Sequence, residues 1–146
     1  MPPSSDGDEI QTEFFVDYAD MPAAVYDLFS QADKFRDFVQ ITEIRGVDRD
    51  DIPLSPAKER KVMGIHFTWK HQFDDVYFAA KEVAKILEKY NYRVHWGKFF
   101  HPVPNYGVFS SFGDDLDQLK QLIESKASKK FNNCFIERLL YDNDNC

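Results

Sequence analysis

The segment Lys61–Trp69, KVMGIHFTW, decides the fold prediction because its side chains alternate in character. Side chains two residues apart lie on the same face of a β-strand. One face of this segment is apolar and carries Ile65, Phe67 and Trp69. The other face carries Gly64, His66 and Thr68. The alternation predicts a strand with helices packed on its apolar face and a polar face turned away from them.

The flanking segments add two helices and three further strands. Pro22 falls in the first turn of a helix capped by Asp20, and apolar residues at helical spacing follow Asp74. In chain order the predicted elements are a strand over Glu13–Tyr18, a helix from Asp20, a strand over Phe38–Val47, the central strand, a helix from Asp74 and a short strand over Tyr92–Trp96. This β-α-β-β-α-β order is the ferredoxin-like pattern. We therefore predict an α+β domain whose antiparallel sheet has helices on one face.

The rest of the chain divides around that domain. Residues 1–12 are predicted to be a flexible lead, residues 13–98 the domain, and residues 99–146 a C-terminal tail. The acidic, proline-bearing stretch Asp48–Pro56 and the stretch His101–Gly113 are predicted loops. A helix over Asp114–Lys126 and a short element over Phe131–Tyr141 complete the tail, so the tail is predicted to be helical.

Composition limits the classes of partner. The net charge is −7 and no long basic run is present, which argues against nucleic acid as a partner. No apolar stretch approaches transmembrane length and the first residues do not resemble a signal peptide. We therefore predict a cytoplasmic protein without a transmembrane segment, with peripheral membrane contact left open. Cys134 and Cys146 show no paired motif and are predicted to be free thiols in a reducing compartment.

A polar cluster is predicted on the sheet face away from the helices. Glu43 and Arg45 are two residues apart on one strand and therefore share a face. If this strand pairs with the central strand, they meet His66 and Thr68. A carboxylate, a guanidinium, an imidazole and a hydroxyl suit a polyhydroxylated ligand. The alternative is an ordinary solvated sheet face with a weak surface ion pair.

The segment His95-Trp96-Gly97-Lys98 is a second candidate. Gly97 lets the backbone approach another group closely, and Lys98 can bring a cation there. The alternative is a tight strand end with Trp96 in the core. The sequence contains no zinc-ligand spacing, calcium loop, nucleophile elbow or phosphate-binding glycine pattern, so we predict no metal and no complete nucleotide site.

Four blocks in this order resemble one known group of enzymes. The blocks are Glu43-Ile44-Arg45, Asp50–Pro56, His66-Phe67-Thr68-Trp69 and His95-Trp96-Gly97-Lys98. They resemble the C-terminal substrate (cap) region of the D-arabinono-1,4-lactone oxidases and of the xylitol and alditol oxidases, in the vanillyl-alcohol oxidase superfamily. The match covers about residues 13–98 and continues faintly over residues 131–139. The resemblance implies a flavoenzyme with one FAD-binding domain and one substrate domain.

The resemblance also implies roles for individual residues. Glu43, Arg45, Thr68 and Lys98 are expected to bind substrate, and His66, Lys98 and Arg45 to take part in catalysis. His95 and Lys98 are expected to lie on the cofactor side. The implied reaction is oxidation of a CH–OH group of a sugar-1,4-lactone or alditol, with FAD as cofactor and O₂ as acceptor.

The resemblance implies that most FAD contacts come from a domain or chain other than this one. We therefore expect the isolated chain to be inactive, and residues 99–146 to pack on the FAD-binding domain. The alternative is a non-catalytic domain of this family that binds a sugar or a protein partner.

Overall fold

A computed structural model describes residues 9–101, 111–126 and 133–141 of the 146-residue chain. Its strands are β1 (Ile10–Asp17), β2 (Val39–Val47), β3 (Val62–Trp69) and β4 (Arg93–Val94). Its helices are α1 (Met21–Ser30), α2 (Phe73–Leu87), α3 (Asp114–Lys126) and α4 (Cys134–Tyr141). Most of the predicted loop over His101–Gly113, and the start of the element predicted over Phe131–Tyr141, lie outside the described residues.

The described strands form one sheet in the order β2-β3-β1-β4, and every neighbouring pair is antiparallel. The crossover through α1 carries the chain from central β1 to the edge strand β2, which leaves the place between them for β3. This arrangement confirms the predicted α+β, ferredoxin-like order. The central strands β1 and β3 are largely buried, whereas β2 is mostly exposed.

The core lies between the sheet and the two helices α1 and α2. Ile65, Phe67 and Trp69 pack there against helix residues that include Leu28 and Val83, which confirms the predicted apolar face. The indole N–H of Trp69 is fully buried and donates to the hydroxyl of Thr12 at 3.0 Å. This bond satisfies the one polar atom that the largest core side chain carries.

Several element ends differ from the prediction. β1 begins at Ile10 rather than Glu13, because Ile10 to Thr12 pair with Trp69 to Phe67 of β3. Residues 10–12 are therefore strand and not part of a flexible lead. Helix α2 begins at Phe73, with Gln72 rather than Asp74 as N-cap residue. Asp74 lies inside the first turn, where its carboxylate interacts favourably with the positive end of the helix dipole.

The connection between β2 and β3, residues 48–61, folds over one end of the polar sheet face that is turned away from the helices. Ala57 packs there with Phe15 and Val62. The guanidinium of Arg93 donates to the backbone carbonyls of Ser55, Pro56 and Lys58. This connection covers that end of the face.

Helix α3 is tied to the same connection by Asp115. Its carboxylate accepts from Lys58 Nζ at 2.6 Å and from the backbone N–H of Leu54 at 3.2 Å. The hydrogen bond and charge of Lys58 lower the pKa of Asp115 against the opposing effect of burial. Helix α3 is thereby bound to the domain by a charged contact, and its Leu116 also packs in the core cluster.

The structure bears on two predictions made from composition, the state of the cysteines and the presence of a transmembrane helix. Cys134 is disulfide-bonded, so the prediction of a free thiol at this position is wrong. Cysteine spacing alone does not report which side chains approach each other in the fold. Within the described ranges, no helix is both long and apolar enough to span a bilayer.

Candidate functional site

The candidate site lies on the sheet face opposite the helices. In the strand register, Glu13 of β1, His66 of β3 and Glu43 of β2 stand opposite one another in a single row. Arg45 pairs with Gly64 in the next row, on the same face. Glu43, Arg45, His66 and Thr68 therefore share one face, as the alternation predicts.

Glu13 is at the centre of this cluster, although sequence reasoning did not single it out. Its side chain is only 5% exposed. Its Oε2 accepts from Lys98 Nζ at 2.5 Å and lies 3.7 Å from His66 Nδ1, and its Oε1 accepts from Arg45 Nη1 at 3.4 Å. One buried carboxylate thus contacts three of the predicted site residues.

The place of the Glu13 carboxylate depends on Gly64. A Cβ atom on Gly64 would lie 2.9 Å from Glu13 Oε1 and 3.0 Å from a ring carbon of Phe15. Contacts this close do not occur without movement of one partner. Because residue 64 has no side chain, the carboxylate and the ring can occupy the space beside it.

A tight turn after β4 brings Lys98 onto the same face. The backbone N–H of Lys98 donates to the carbonyl of His95 at 3.1 Å, and the N–H of Gly97 donates to His95 Nδ1 at 3.1 Å. The N–H of Phe99 then donates to the carbonyl of Gln11 on β1. The turn is thereby held at both ends, and the Lys98 side chain reaches back over β1 to Glu13.

His66 joins Lys98 to Thr68. Its Nδ1 lies 2.8 Å from Lys98 Nζ and its Nε2 lies 3.1 Å from Thr68 Oγ1. An ammonium group can only donate, so Nδ1 is the acceptor and the imidazole proton is on Nε2. That proton is donated to the Thr68 hydroxyl. The contacts form a directed series from Lys98 through His66 to Thr68.

The electrostatic environment keeps Glu13 charged and His66 neutral. Burial alone would raise the pKa of Glu13, but the hydrogen bond from Lys98 and the charges of Lys98 and Arg45 together lower it below its ordinary value. Burial lowers the pKa of His66, and the Lys98 charge lowers it further against the opposing charge of Glu13. At neutral pH the cluster therefore contains the Glu13 carboxylate and a neutral His66 imidazole.

Arg45 and Glu43 form the open side of the cluster. The two side chains are bonded to each other and are 42% and 34% exposed. Arg45 also contacts Glu13. The guanidinium therefore connects the buried carboxylate to a carboxylate that solvent or a ligand can reach.

His95 lies beside the cluster rather than within it. Its ring stacks on Phe15, with ring centroids 6.4 Å apart, and its backbone N–H donates to the carbonyl of Glu13. Trp96 packs against the core and donates its indole N–H to the carbonyl of Leu54. Trp96 therefore packs against the core, and Lys98 of the same segment lies over the sheet face.

One signal for Glu13 was present in the sequence. It is a charged residue at the start of an aromatic and β-branched stretch, Glu13–Val16, on the face opposite Phe14 and Val16. A charged group in a strand that becomes central must find partners, because burying an unpaired charge is costly. Which partners it finds depends on strand register and on the turn at Lys98.

Among residues 9–101, 111–126 and 133–141, no group of three potential metal ligands occurs.

Comparison with known proteins extends the resemblance to almost the whole chain. The family model described as D-arabinono-1,4-lactone oxidase matches residues 9–139. An alditol oxidase from Streptomyces sp. (strain IKD472 / FERM P-14339) is 28% identical over 148 aligned positions, which cover 93% of this chain and 32% of the relative. The chain thus spans about a third of the length of that relative. The extent of the family match shows that this chain belongs to the D-arabinono-1,4-lactone oxidase family.

Proposed function

We propose that this chain is the substrate domain of an FAD-dependent oxidase that acts on a CH–OH group of an alditol or a sugar-1,4-lactone, with O₂ as acceptor. The observation that carries the proposal is the cluster of Glu13, Lys98, His66, Arg45 and Glu43 on one sheet face. In a chain of this family, such a cluster supports a role in binding and oxidising a hydroxylated substrate.

The exposed part of the cluster suits a ligand with several hydroxyl groups. Each hydroxyl of such a ligand can donate one hydrogen bond and accept others. Glu43 supplies an acceptor and Arg45 supplies fixed donors on the open side. Lys98 and Thr68 supply a further donor and a hydroxyl deeper in the site. We assign substrate binding to these four residues.

The cations suit the charge that develops during the reaction. Oxidation of a CH–OH carbon removes the hydroxyl proton, which leaves negative charge on the substrate oxygen. Preorganised donors at that oxygen stabilise the transition state. Lys98 and Arg45 are both held by Glu13, and we assign this stabilising role to them.

His66 is assigned to proton movement. Its neutral imidazole lies within hydrogen-bond distance of both Lys98 and Thr68, so it joins an ammonium group to a hydroxyl group. Imidazole can exchange protons at both nitrogens near neutral pH. Burial and the Lys98 charge lower the pKa of His66 and keep it in the form that can accept a proton.

The residues on this face fit the reactive end of FAD and not its nucleotide end. Lys98 and the exposed His95 are donors of the kind that stabilise negative charge on a flavin ring. FAD, when bound, supplies the hydride acceptor and the electron transfer to O₂. The sequence has no phosphate-binding glycine pattern. We propose that the adenine and pyrophosphate contacts come from an FAD-binding domain or chain. We further propose that this domain packs against the side of residues 99–146 that is turned away from the core of this chain.

The experiment is to supply that domain. The chain is co-expressed with, or fused to, the FAD-binding domain of an alditol oxidase, and flavin loading is verified by absorbance. We expect oxygen consumption with alditols or sugar-1,4-lactones, and its loss in the Arg45→Ala variant. A folded, flavin-loaded protein that binds a polyol without consuming oxygen would contradict the oxidase proposal and support the non-catalytic binding domain.

A further inference from the structure

We propose that Glu13 is a positioning residue, whose carboxylate fixes the Lys98 ammonium beside His66 and holds Arg45 with its second oxygen. The positioning is a property of the chain itself, whereas its consequence for catalysis rests on the proposed oxidase function. None of the predicted site roles includes Glu13. The proposal adds a residue to the site and states what that residue does.

The first argument is that each of the two carboxylate oxygens of Glu13 contacts a different cation. Oε2 accepts from Lys98 at 2.5 Å and Oε1 accepts from Arg45 at 3.4 Å. A single rigid carboxylate therefore sets the separation of two cations that would otherwise repel each other. Lysine carries its charge on a flexible four-carbon stem, so an ammonium without such an anchor would not stay in one place.

The second argument is burial. The Glu13 side chain is 5% exposed and that of Lys98 is 15% exposed, so their contact is shielded from water. Charge-assisted hydrogen bonds between shielded groups are stronger than those at the surface. Arg45 and Glu43 are much more exposed and already pair with each other. Lys98 also contacts His66, but that ring is neutral, so Glu13 is the charged and shielded partner of Lys98 in this cluster.

The third argument is the space that Gly64 leaves. The Cβ of any other residue at this position would approach Glu13 Oε1 to 2.9 Å. Gly64 has no left-handed backbone conformation that would require glycine. The absence of a side chain at residue 64 is therefore used to admit the Glu13 carboxylate and the Phe15 ring.

A double-mutant cycle on the 146-residue chain tests the positioning directly, with the pKa of His66 as reporter. The four proteins are the wild type, Lys98→Met, Glu13→Leu and the double variant. Leucine is close to glutamate in size and cannot accept a hydrogen bond. NMR titration follows the imidazole protons, and the His66 resonance is identified by its loss in His66→Gln. The charged groups that face His66 are Glu13, Lys98, Arg45 and Glu43.

Removal of Lys98 takes a positive charge away from His66, so Lys98→Met raises the pKa of His66 in the wild-type background. If Glu13 positions Lys98, the same substitution in the Glu13→Leu background produces less than half of that upward shift, because the ammonium has already left. If the upward shift of the His66 pKa in the Glu13→Leu background is half or more of the shift in the wild-type background, the proposal is wrong. A merely structural role of Glu13 does not change the coupling between two other residues.

Two additions keep the test decisive. If Glu13→Leu does not fold, the cycle is repeated with Glu13→Met, which keeps an unbranched side chain of similar length and removes both the charge and the oxygen acceptors, so the same criterion applies. Lys61→Met is the matched control, because Lys61 is exposed and pairs with Asp48 away from the site, and it leaves the pKa of His66 unchanged. No flavin is present, so failure of this test is distinct from failure of the oxidase proposal.

Discussion

Replacement of Lys98 by methionine in the flavin-loaded, reconstituted protein gives the sharpest test of the proposed chemistry. Methionine keeps an unbranched side chain of similar length and removes the ammonium. Lys98 Nζ is bonded to Glu13 Oε2 and His66 Nδ1, and its side chain is largely shielded from water. Water therefore cannot easily take the place of the lost cation. Removal of one preorganised stabilising donor costs about 10²–10³ in rate, or roughly 2.7–4 kcal/mol.

The position of each residue in the site ranks the expected losses. Lys98→Met is expected at the upper end of that range. Arg45→Ala is expected nearer the lower end, because Arg45 is 42% exposed and solvent partly screens its charge. Thr68→Ala removes a neutral hydroxyl and is expected to cost about 0.5–1.5 kcal/mol. The assay is anaerobic stopped-flow measurement of flavin reduction at saturating alditol or lactone.

A control separates the loss of the cation from the stranding of its partner. Lys98→Met leaves the Glu13 carboxylate buried with only Arg45 as a cationic neighbour, which is itself unfavourable. The double variant Lys98→Met/Glu13→Gln removes that carboxylate charge. If the missing cation is the cause, the double variant stays as slow as Lys98→Met. Recovery of the rate in the double variant, or equal rates for Lys98→Met and wild type, would refute the assigned role.

The remaining predictions concern stability and cofactor binding. Thr12→Val strands the buried indole N–H of Trp69 and is expected to lower the free energy of unfolding by about 1–3 kcal/mol, measured by urea denaturation. In a Trp69→Phe background the same substitution is expected to be neutral or stabilising, and an unchanged cost there would contradict the hydrogen-bond explanation. The folded pKa of Glu13 is lowered, so its contribution is present above the ordinary glutamate pKa and is lost as pH falls through the folded value. The stability advantage of wild type over Glu13→Gln is therefore expected to shrink on acidification, and an advantage that grows at low pH would show that the sign is wrong. The 146-residue chain alone is expected to bind FAD weakly, and a stoichiometric flavin spectrum after gel filtration would disprove this.

The fold could be predicted from the sequence because the patterns that indicate strands and helices are local. The alternation in Lys61–Trp69 follows from the covalent geometry of an extended chain, so it assigns the core face without knowledge of any partner. The predicted helix Asp114–Lys126 has the same bounds in the structure. Element ends were less predictable where a partner sets them. Ile10–Thr12 are strand only because β3 pairs with them, and the sequence did not indicate that Cys134 is disulfide-bonded.

The order of the elements, the face on which Glu43, Arg45, His66 and Thr68 lie and, through the ordered motifs, the family all follow from the amino-acid sequence. The position of Glu13 among these residues follows only from the three-dimensional packing. Its place depends on the register between strands more than forty positions apart in the chain, on the turn that returns Lys98 over β1, and on the space at Gly64. These are non-local contacts. Strand periodicity assigns a side chain to a face, but only the packing of distant segments decides which charges meet there.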